Sequence, residues 1–243
     1  AERMMQNMNL HYVVDVDIKG FFDNVNHGKL LKQIWTLGIR DKRLLCIISK
    51  ILKSEIEGEG IPDKGTPQGG LISPLLSLIV LNELDWWVAS QWENIPTETN
   101  YIKRIYPNGT SDKSRQVYHL RKTKLKECYI VRYADDFKIF CRKRADAVNM
   151  FEATKLWLKD RLGLEISPEK SKIVNLKRHY SDFLGFKLKV REKGKSKDGK
   201  PKYVAEAHIQ DKKLVKIKDY SKEIIGKIRQ TYNPGMEFKL IQM

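Results

Sequence analysis

Cysteine is scarce. Only Cys46, Cys128 and Cys141 occur in 243 residues, scattered and without metal-ligand spacing. That excludes a disulfide-stapled scaffold and reads as free thiols in a reducing compartment. Long apolar runs are missing as well. The longest, "LISPLLSLIVL", contains Pro74 and is too short to cross a bilayer. The opening "AERMMQNMNLHYV" lacks the apolar segment of a signal peptide. There is no internal repeat, and no low-complexity stretch beyond one lysine-rich loop. Acidic residues fall short of basic ones, 30 against 46, for a net charge of +16. Together these absences predict a soluble intracellular chain with a polyanionic partner, nucleic acid ahead of an anionic membrane surface. The ends, Ala1 and "EFKLIQM", read as those of a piece of a longer protein.

What is present begins with alternation. "HYVVDVDI" predicts a strand with Asp15 and Asp17 on one side, facing water if that side is half exposed. Apolar spacing predicts amphipathic helices over about 28–37, with Gly38 as C-cap, and about 42–53, with a core face of Leu44, Leu45, Ile48, Ile51 and Leu52. Ser73 before Pro74 reads as the N-cap of a third helix, apolar on most sides and therefore buried. Trp86, Trp87 and Trp92 close it, either packing under the next segment or forming a homodimer interface. Residues 94–127 form a polar, basic insertion with few apolar anchors. A hairpin carrying "YADDF" follows, then a helix over about 146–162 ended by Gly163. "LEISPEKSKIVNL" reads as a strand. A second hairpin pairs "DFLGFKLKV" with "KYVAEAHI" across the loop "REKGKSKDGKP", and a basic helix spans about 211–230. The fold class is α+β, with helices on one face of an antiparallel sheet that holds the first strand beside the "YADDF" hairpin.

Asp135 and Asp136 are the odd feature of "YIVRYADDFKIF". Two adjacent carboxylates in apolar surroundings repel each other and lose hydration unless a cation compensates. A solvated hairpin turn would explain them blandly. If Asp17 meets them, three carboxylates converge. Hard oxygen donors suit Mg²⁺, and two such ions roughly 3.5–4 Å apart can clamp the attacking and leaving oxygens of a phosphoryl displacement.

Five segments in order then resemble one family, the reverse transcriptases encoded by group II introns, also called maturases. They are "DIKGFFDNVNH", "GTPQGGLISPLLSLIVLNELD", "RYADDF", "LGLEISPEKSKI" and "FLGFKL". The resemblance covers most of the chain except the insertion. It implies an RNA-directed DNA polymerase palm over 1–208 and the start of a thumb or maturase domain over 209–243, with fingers absent. It implies two Mg²⁺ ions held by Asp17, the Ile18 carbonyl, Asp135 and, beside it, Asp136, the three aspartates being the catalytic residues. It places Gly20, Phe21, Phe22, Gln68, Gly69 and Lys172 at the incoming nucleotide, Phe22 under the sugar, where a ring excludes a 2′-hydroxyl. Lys170 or Lys172 would neutralise the leaving pyrophosphate. Phe183, Leu184 and Gly185 would form the primer grip. Arg121, Lys122, Lys124, Lys193, Lys195, Lys197, Lys213 and Lys216 are the candidate nucleic-acid contacts, each equally readable as a solvated charge. The implied partners are an RNA template, the intron RNA, a DNA or RNA primer and dNTPs, with no membrane. The implied place is bacterial cytoplasm or an organellar matrix. Two functions stay open: polymerase with a role in intron splicing and retrohoming, or an RNA-binding splicing cofactor without polymerase activity. A reverse transcriptase of another retroelement class is the variant within the same chemistry.

Overall fold

The computed structural model describes the chain up to Thr231, apart from residues 57, 59, 68, 69, 103, 197 and 198. Gln68, Gly69 and Lys197 of the expected sites therefore lie outside the described residues. The elements are, in order, α1 (Glu2–Gln6), β1 (Tyr12–Val16), α2 (His27–Thr36), α3 (Lys42–Leu52), α4 (Ser73–Gln91) and α5 (Ser114–Leu120). Then come β2 (Cys128–Tyr133), β3 (Asp136–Cys141), α6 (Arg144–Trp157), a π-helical turn (Leu158–Leu162) and β4 (Lys172–Asn175). The chain closes with β5 (Ser181–Phe183), β6 (Phe186–Lys195), β7 (Pro201–Ile209) and α7 (Asp211–Thr231).

A four-stranded antiparallel sheet orders as β2-β3-β1-β4, so the first strand does lie against the "YADDF" hairpin. The register pairs Asp15 with Lys138 and Val16 with Phe137. Because side chains alternate across a strand, Val14, Val16, Phe137 and Ile139 share one face. That face meets the helices: α6 packs on β1 and β3, and α4 on β2. On the other face lie Val13, Asp15, Lys138 and Phe140, covered by a second antiparallel sheet, β5-β6-β7. Ser181 of β5 bonds to Asp15, and the His11 ring sits 4.7 Å from that of Tyr203 on β7. Covered on both sides, β1 is buried from Val13 to Val16, which is why it reads as nearly continuous apolar sequence around one charge.

Several expectations change. Ser73 is the first residue inside α4 and not its cap; Ile72 takes that place, and the Ser73 hydroxyl instead donates to the Pro67 carbonyl at 2.5 Å. Nor is α4 buried all round, since Leu75, Leu78 and Trp86 stand exposed, Trp86 at 65%. Trp92 is buried and donates to the Tyr129 hydroxyl at 3.0 Å, and Trp87 stacks on Trp157. The core face of α3 is only half used: Ile48 and Leu52 are buried, Leu44 and Ile51 exposed. The strand expected over "LEISPEKSKIVNL" is interrupted, with Ile166 bridging Ile18, a turn at 168–170, and β4 only from Lys172. The basic loop after "DFLGFKLKV" is mostly strand, because cross-strand pairing extends β6 and β7 through it, placing Lys193 and Lys195 on β6. The insertion is anchored: α5 buries Leu120, and Glu127 just before β2 is clamped by Arg121 and Arg142. No described helix is long and apolar enough to cross a membrane.

Candidate active site

The candidate edge is where β1 runs out of its sheet. The β1–β3 pairing ends at Val16–Phe137, with Asp17 and Ile18 following Val16 and with Asp135 and Asp136 preceding Phe137 at that end. Asp17 is fixed by its backbone. Its N–H donates to the Ser171 hydroxyl at 3.1 Å, and its carbonyl accepts from the Ser167 N–H at 2.8 Å. Successive residues in a strand turn their backbone groups to opposite edges. With both Asp17 groups committed to the 167–171 side, the Ile18 carbonyl faces the hairpin that carries Asp135. The Asp17 side chain is 44% exposed, and Lys170 Nζ lies 3.5 Å from its Oδ2. Of the two lysines expected near pyrophosphate, Lys170 is the one beside this carboxylate. Lys172 is exposed on β4, opposite Asp15.

Asp135 sits in the two-residue turn between Tyr133 and Asp136, with Ala134 before it. Ala134 has φ 54° and Asp135 does not have positive φ, the pattern of a type II′ turn. Glycine suits the first central position of that turn, and an L side chain there is strained. The chain keeps the smallest such side chain at the point that aims Asp135. Ala134→Gly is therefore expected to raise the melting midpoint by about 1–3 °C, relief of strain outweighing the added chain entropy by roughly 0.5 kcal/mol. A thermal melt in which the midpoint falls would remove the strain argument.

Asp136 points elsewhere. Burial pushes its carboxyl up, while Lys138 and the Leu184 N–H draw it down and Asp15 and Asp135 add repulsion. The Leu184 bond joins the carboxylate hairpin directly to the turn between β5 and β6. Behind it lies a buried cluster that the strand pattern concealed. Lys138 Nζ is 2.6 Å from Asp15 Oδ1, and the Ser181 hydroxyl reaches both Asp15 oxygens at 3.0 Å. Asp15, expected to face water, is 7% exposed. The clue available in sequence was Lys138 itself, a cation inside the apolar strand "DFKIF", where burial demands a counter-charge.

The loop after β1 carries the residues expected at the nucleotide. Gly20 has φ 51° and is exposed with Lys19. Phe21 is core, whereas Phe22 is half-buried and meets Phe21 edge-on, centroids 5.3 Å apart. The start of "GTPQGG" is laced to this loop. Gly65 N–H donates to the Val25 carbonyl and Thr66 N–H to the Phe22 carbonyl, both at 2.7 Å. A buried His27 donates to the Gly65 carbonyl at 2.7 Å. Gly65 has φ 98°, and a Cβ there would press to 3.2 Å from the Phe22 and Asp23 carbonyl oxygens, so glycine is required.

The expected primer grip is a tight turn. Leu184 (φ 51°) and Gly185 (φ 82°) connect paired Phe183 and Phe186, as a type I′ turn requires. Lys213 of α7 leans over it, with Nζ 3.4 Å from the Leu184 carbonyl. The other basic residues divide. Arg121 is taken by Glu127, with bonds of 2.7 and 3.0 Å, and Lys122 rests on the Tyr118 ring. Lys124, Lys193, Lys195 and Lys216 are exposed.

Among the described residues no group of three or more His, Cys, Asp or Glu side chains is placed to hold a metal ion. The three aspartates Asp17, Asp135 and Asp136 are accordingly not gathered into such a group. The donors that remain at the edge are still the right kind. Mg²⁺ takes one or two carboxylates and fills its other positions with water and substrate phosphate oxygens. Asp17, the Ile18 carbonyl and Asp135 are hard oxygen donors at an open sheet edge, and the Lys170 ammonium beside Asp17 shows the demand for positive charge there. The residues fit such an ion.

Comparison with known proteins gives the family. The family model for reverse transcriptase (RNA-dependent DNA polymerase) matches residues 1–188. The chain is 33% identical over 215 residues to the group II intron-encoded protein LtrA of Lactococcus lactis subsp. cremoris, covering 75% of this chain and 36% of that protein. It is 29% identical over 211 residues to the putative COX1/OXI3 intron 2 protein of Saccharomyces cerevisiae, covering 74% of this chain and 24% of the relative. Among solved structures, apo telomerase from Candida Tropicalis aligns with a TM-score of 0.49 at 12% identity, over 77% of this chain and 33% of that one. The chain thus spans only 24–36% of the length of these relatives. The family match takes in the end of β1, the carboxylate hairpin and the Leu184–Gly185 turn alike, and so the chain belongs to the reverse transcriptase (RNA-dependent DNA polymerase) family.

Proposed function

We propose that this chain is the palm, residues 1–208, and the start of the thumb, 209–243, of a group II intron reverse transcriptase that extends a primer on an RNA template and also binds its intron RNA. One observation carries the reading: the β1–β3 pairing ends at Val16–Phe137, so Asp17 and Ile18 leave β1 at the same end of the sheet as the hairpin turn bearing Asp135. Asp17, the Ile18 carbonyl and Asp135 would hold two Mg²⁺ ions, which when bound stabilise the charge that develops on the attacking and leaving oxygens. Asp136 secures the hairpin to the Leu184–Gly185 turn, so that primer end and carboxylates keep one spacing. Gly20 and Phe21 offer backbone to the triphosphate, Gln68 and Gly69 contact the incoming nucleotide, and Phe22 lies under the sugar. Lys170 neutralises charge on the departing pyrophosphate. The exposed cations Lys124, Lys193, Lys195 and Lys216, with Lys122 and Lys213, hold RNA through phosphates, without sequence preference and with salt sensitivity.

The test is primer extension on an RNA template with Mg²⁺ and dNTPs, using the full-length protein and its Asp135→Ala, Asp136→Ala variant. Extension should vanish in the variant while intron RNA binding persists. Absent extension by the unaltered protein, with RNA binding intact, would replace this reading with that of a splicing cofactor built on a polymerase fold.

A further inference from the structure

The insertion 94–127 leaves α4 and returns at Cys128, the far end of β2 from the catalytic turn. At about 3.3 Å per residue, the six residues of β2 put that end roughly 20 Å from Asp135. Within the insertion basic residues outnumber acidic ones, eight to three. Its helix α5 has two characters. Gln116, Val117 and Leu120 turn inward, while Arg115, Tyr118 and His119, at helical spacings of three and four, share the outward side, and Lys122 follows in the turn just after the helix.

That outward side is aromatic as well as basic. Tyr101 stacks on His119 with centroids 4.3 Å apart and planes at 16°. Lys122 Nζ stands 4.2 Å from the Tyr118 ring centre, and Tyr118 is 57% exposed. A groove of about 620 Å³ runs between the 99–101 segment and α5, lined by Asn100, Tyr101, Ser114, Arg115, Tyr118 and His119. Rings, amide and hydroxyl groups and the Arg115 guanidinium lie together in it, with Lys122 over the Tyr118 ring beside it. Duplex RNA hides its base faces, whereas a single strand can lay a base on a tyrosine and its phosphates against lysine and arginine.

We propose that this groove is a second RNA site, which binds an unpaired nucleotide of a single strand by stacking on Tyr118, with Arg115 and Lys122 on the flanking phosphates. It rests on the reading that the protein works on RNA, but it is separate from the polymerase edge. The insertion that carries it returns at Cys128, roughly 20 Å along β2 from Asp135, so the strand held here is one other than the reacting primer end.

The experiment uses the full-length protein with its polymerase site saturated by a primer–template duplex. A fluorescein-labelled pyrimidine 12-mer of RNA carrying 4-thiouridine is the probe, read by anisotropy and by mapping the cross-linked peptide. Tyr118→Ala should weaken binding about tenfold, from the usual worth of a base–aromatic stack, while Tyr118→Phe stays within about twofold. Cross-links should fall within 99–122, and extension of a short primer–template should be unchanged in both variants. Unchanged affinity in Tyr118→Ala, cross-links confined to other segments, or equal competition by polyglutamate would overturn the proposal, the last by reducing the groove to a patch for any anion. The equivalent DNA 12-mer decides whether the 2′-hydroxyl contributes. Loss of extension in the unaltered protein, with this binding intact, would count against the polymerase and leave the groove standing.

Discussion

Lys138→Met is expected to destabilise the fold by about 3–5 kcal/mol, the cost of stranding one buried charge by removing its partner. Asp15 and Lys138 meet at 2.6 Å between β1 and β3 with Ser181 closing the cluster from β5, so the substitution leaves a carboxylate and a hydroxyl facing a thioether. The pair is not a net gain over apolar packing. Burial raises the Asp15 carboxyl above its ordinary value despite the contact with Lys138 and the bonds from Lys138 and Ser181. The sign follows from linkage: the native state holds its proton more tightly than the unfolded chain, so this group's contribution to stability falls as pH rises from about 3.9 through the raised native value. The triple variant Asp15→Leu, Lys138→Met, Ser181→Ala, which removes every polar member at once, should therefore recover most of the loss, to within about 2 kcal/mol of the original. Urea unfolding midpoints measure both. A single variant within about 1 kcal/mol of the parent would mean that water reaches the cluster and the burial argument is wrong.

The second large effect is chemical. Asp17→Asn in the full-length protein should cut single-turnover nucleotide addition by about 10³-fold or more, equivalent to roughly 4 kcal/mol of lost transition-state stabilisation. Asparagine keeps the size of the side chain, and the backbone bonds to Ser167 and Ser171 do not involve it. The fold and the affinity for primer–template should consequently stay within about threefold. The contact to Lys170, at 3.5 Å on a half-exposed carboxylate, is a screened surface pair whose loss costs little. A tenfold loss or less would show that Asp17 does not ligate the ion. Equal loss of binding and rate would show a folding defect instead.

Much of this fold could be read locally. Alternation identified β1, and helical spacing identified α2 and α3, whose N-caps in the structure are Asn26 and Asp41. Adjacent aspartates behind a small residue marked a turn, and that turn stands at Ala134–Asp135. Errors arose where local pattern meets a neighbour. The apolar residues on α4 predicted burial on most sides, but while Leu76, Val80, Leu81, Leu84 and Val88 are buried, Leu75, Leu78 and Trp86 stand exposed. The lysine-rich stretch after Val190 looked like a loop until pairing with β7 made it a strand. The short helix α5 is anchored through Leu120, a single residue in a polar run, which leaves almost no periodic signal.

What the sequence determined by itself is therefore the order of motifs, the basic excess and the chemistry of the catalytic turn, because each depends on residues adjacent or regularly spaced. Only the tertiary structure decided which charges are spoken for. Asp15 finds Lys138 123 residues away and Ser181 166 residues away, whereas its neighbour Asp17 remains at the open edge. Two aspartates in identical alternation thus differ because burial and partnering are properties of the packed chain, where a charge two positions along the strand passes from beneath a second sheet to solvent.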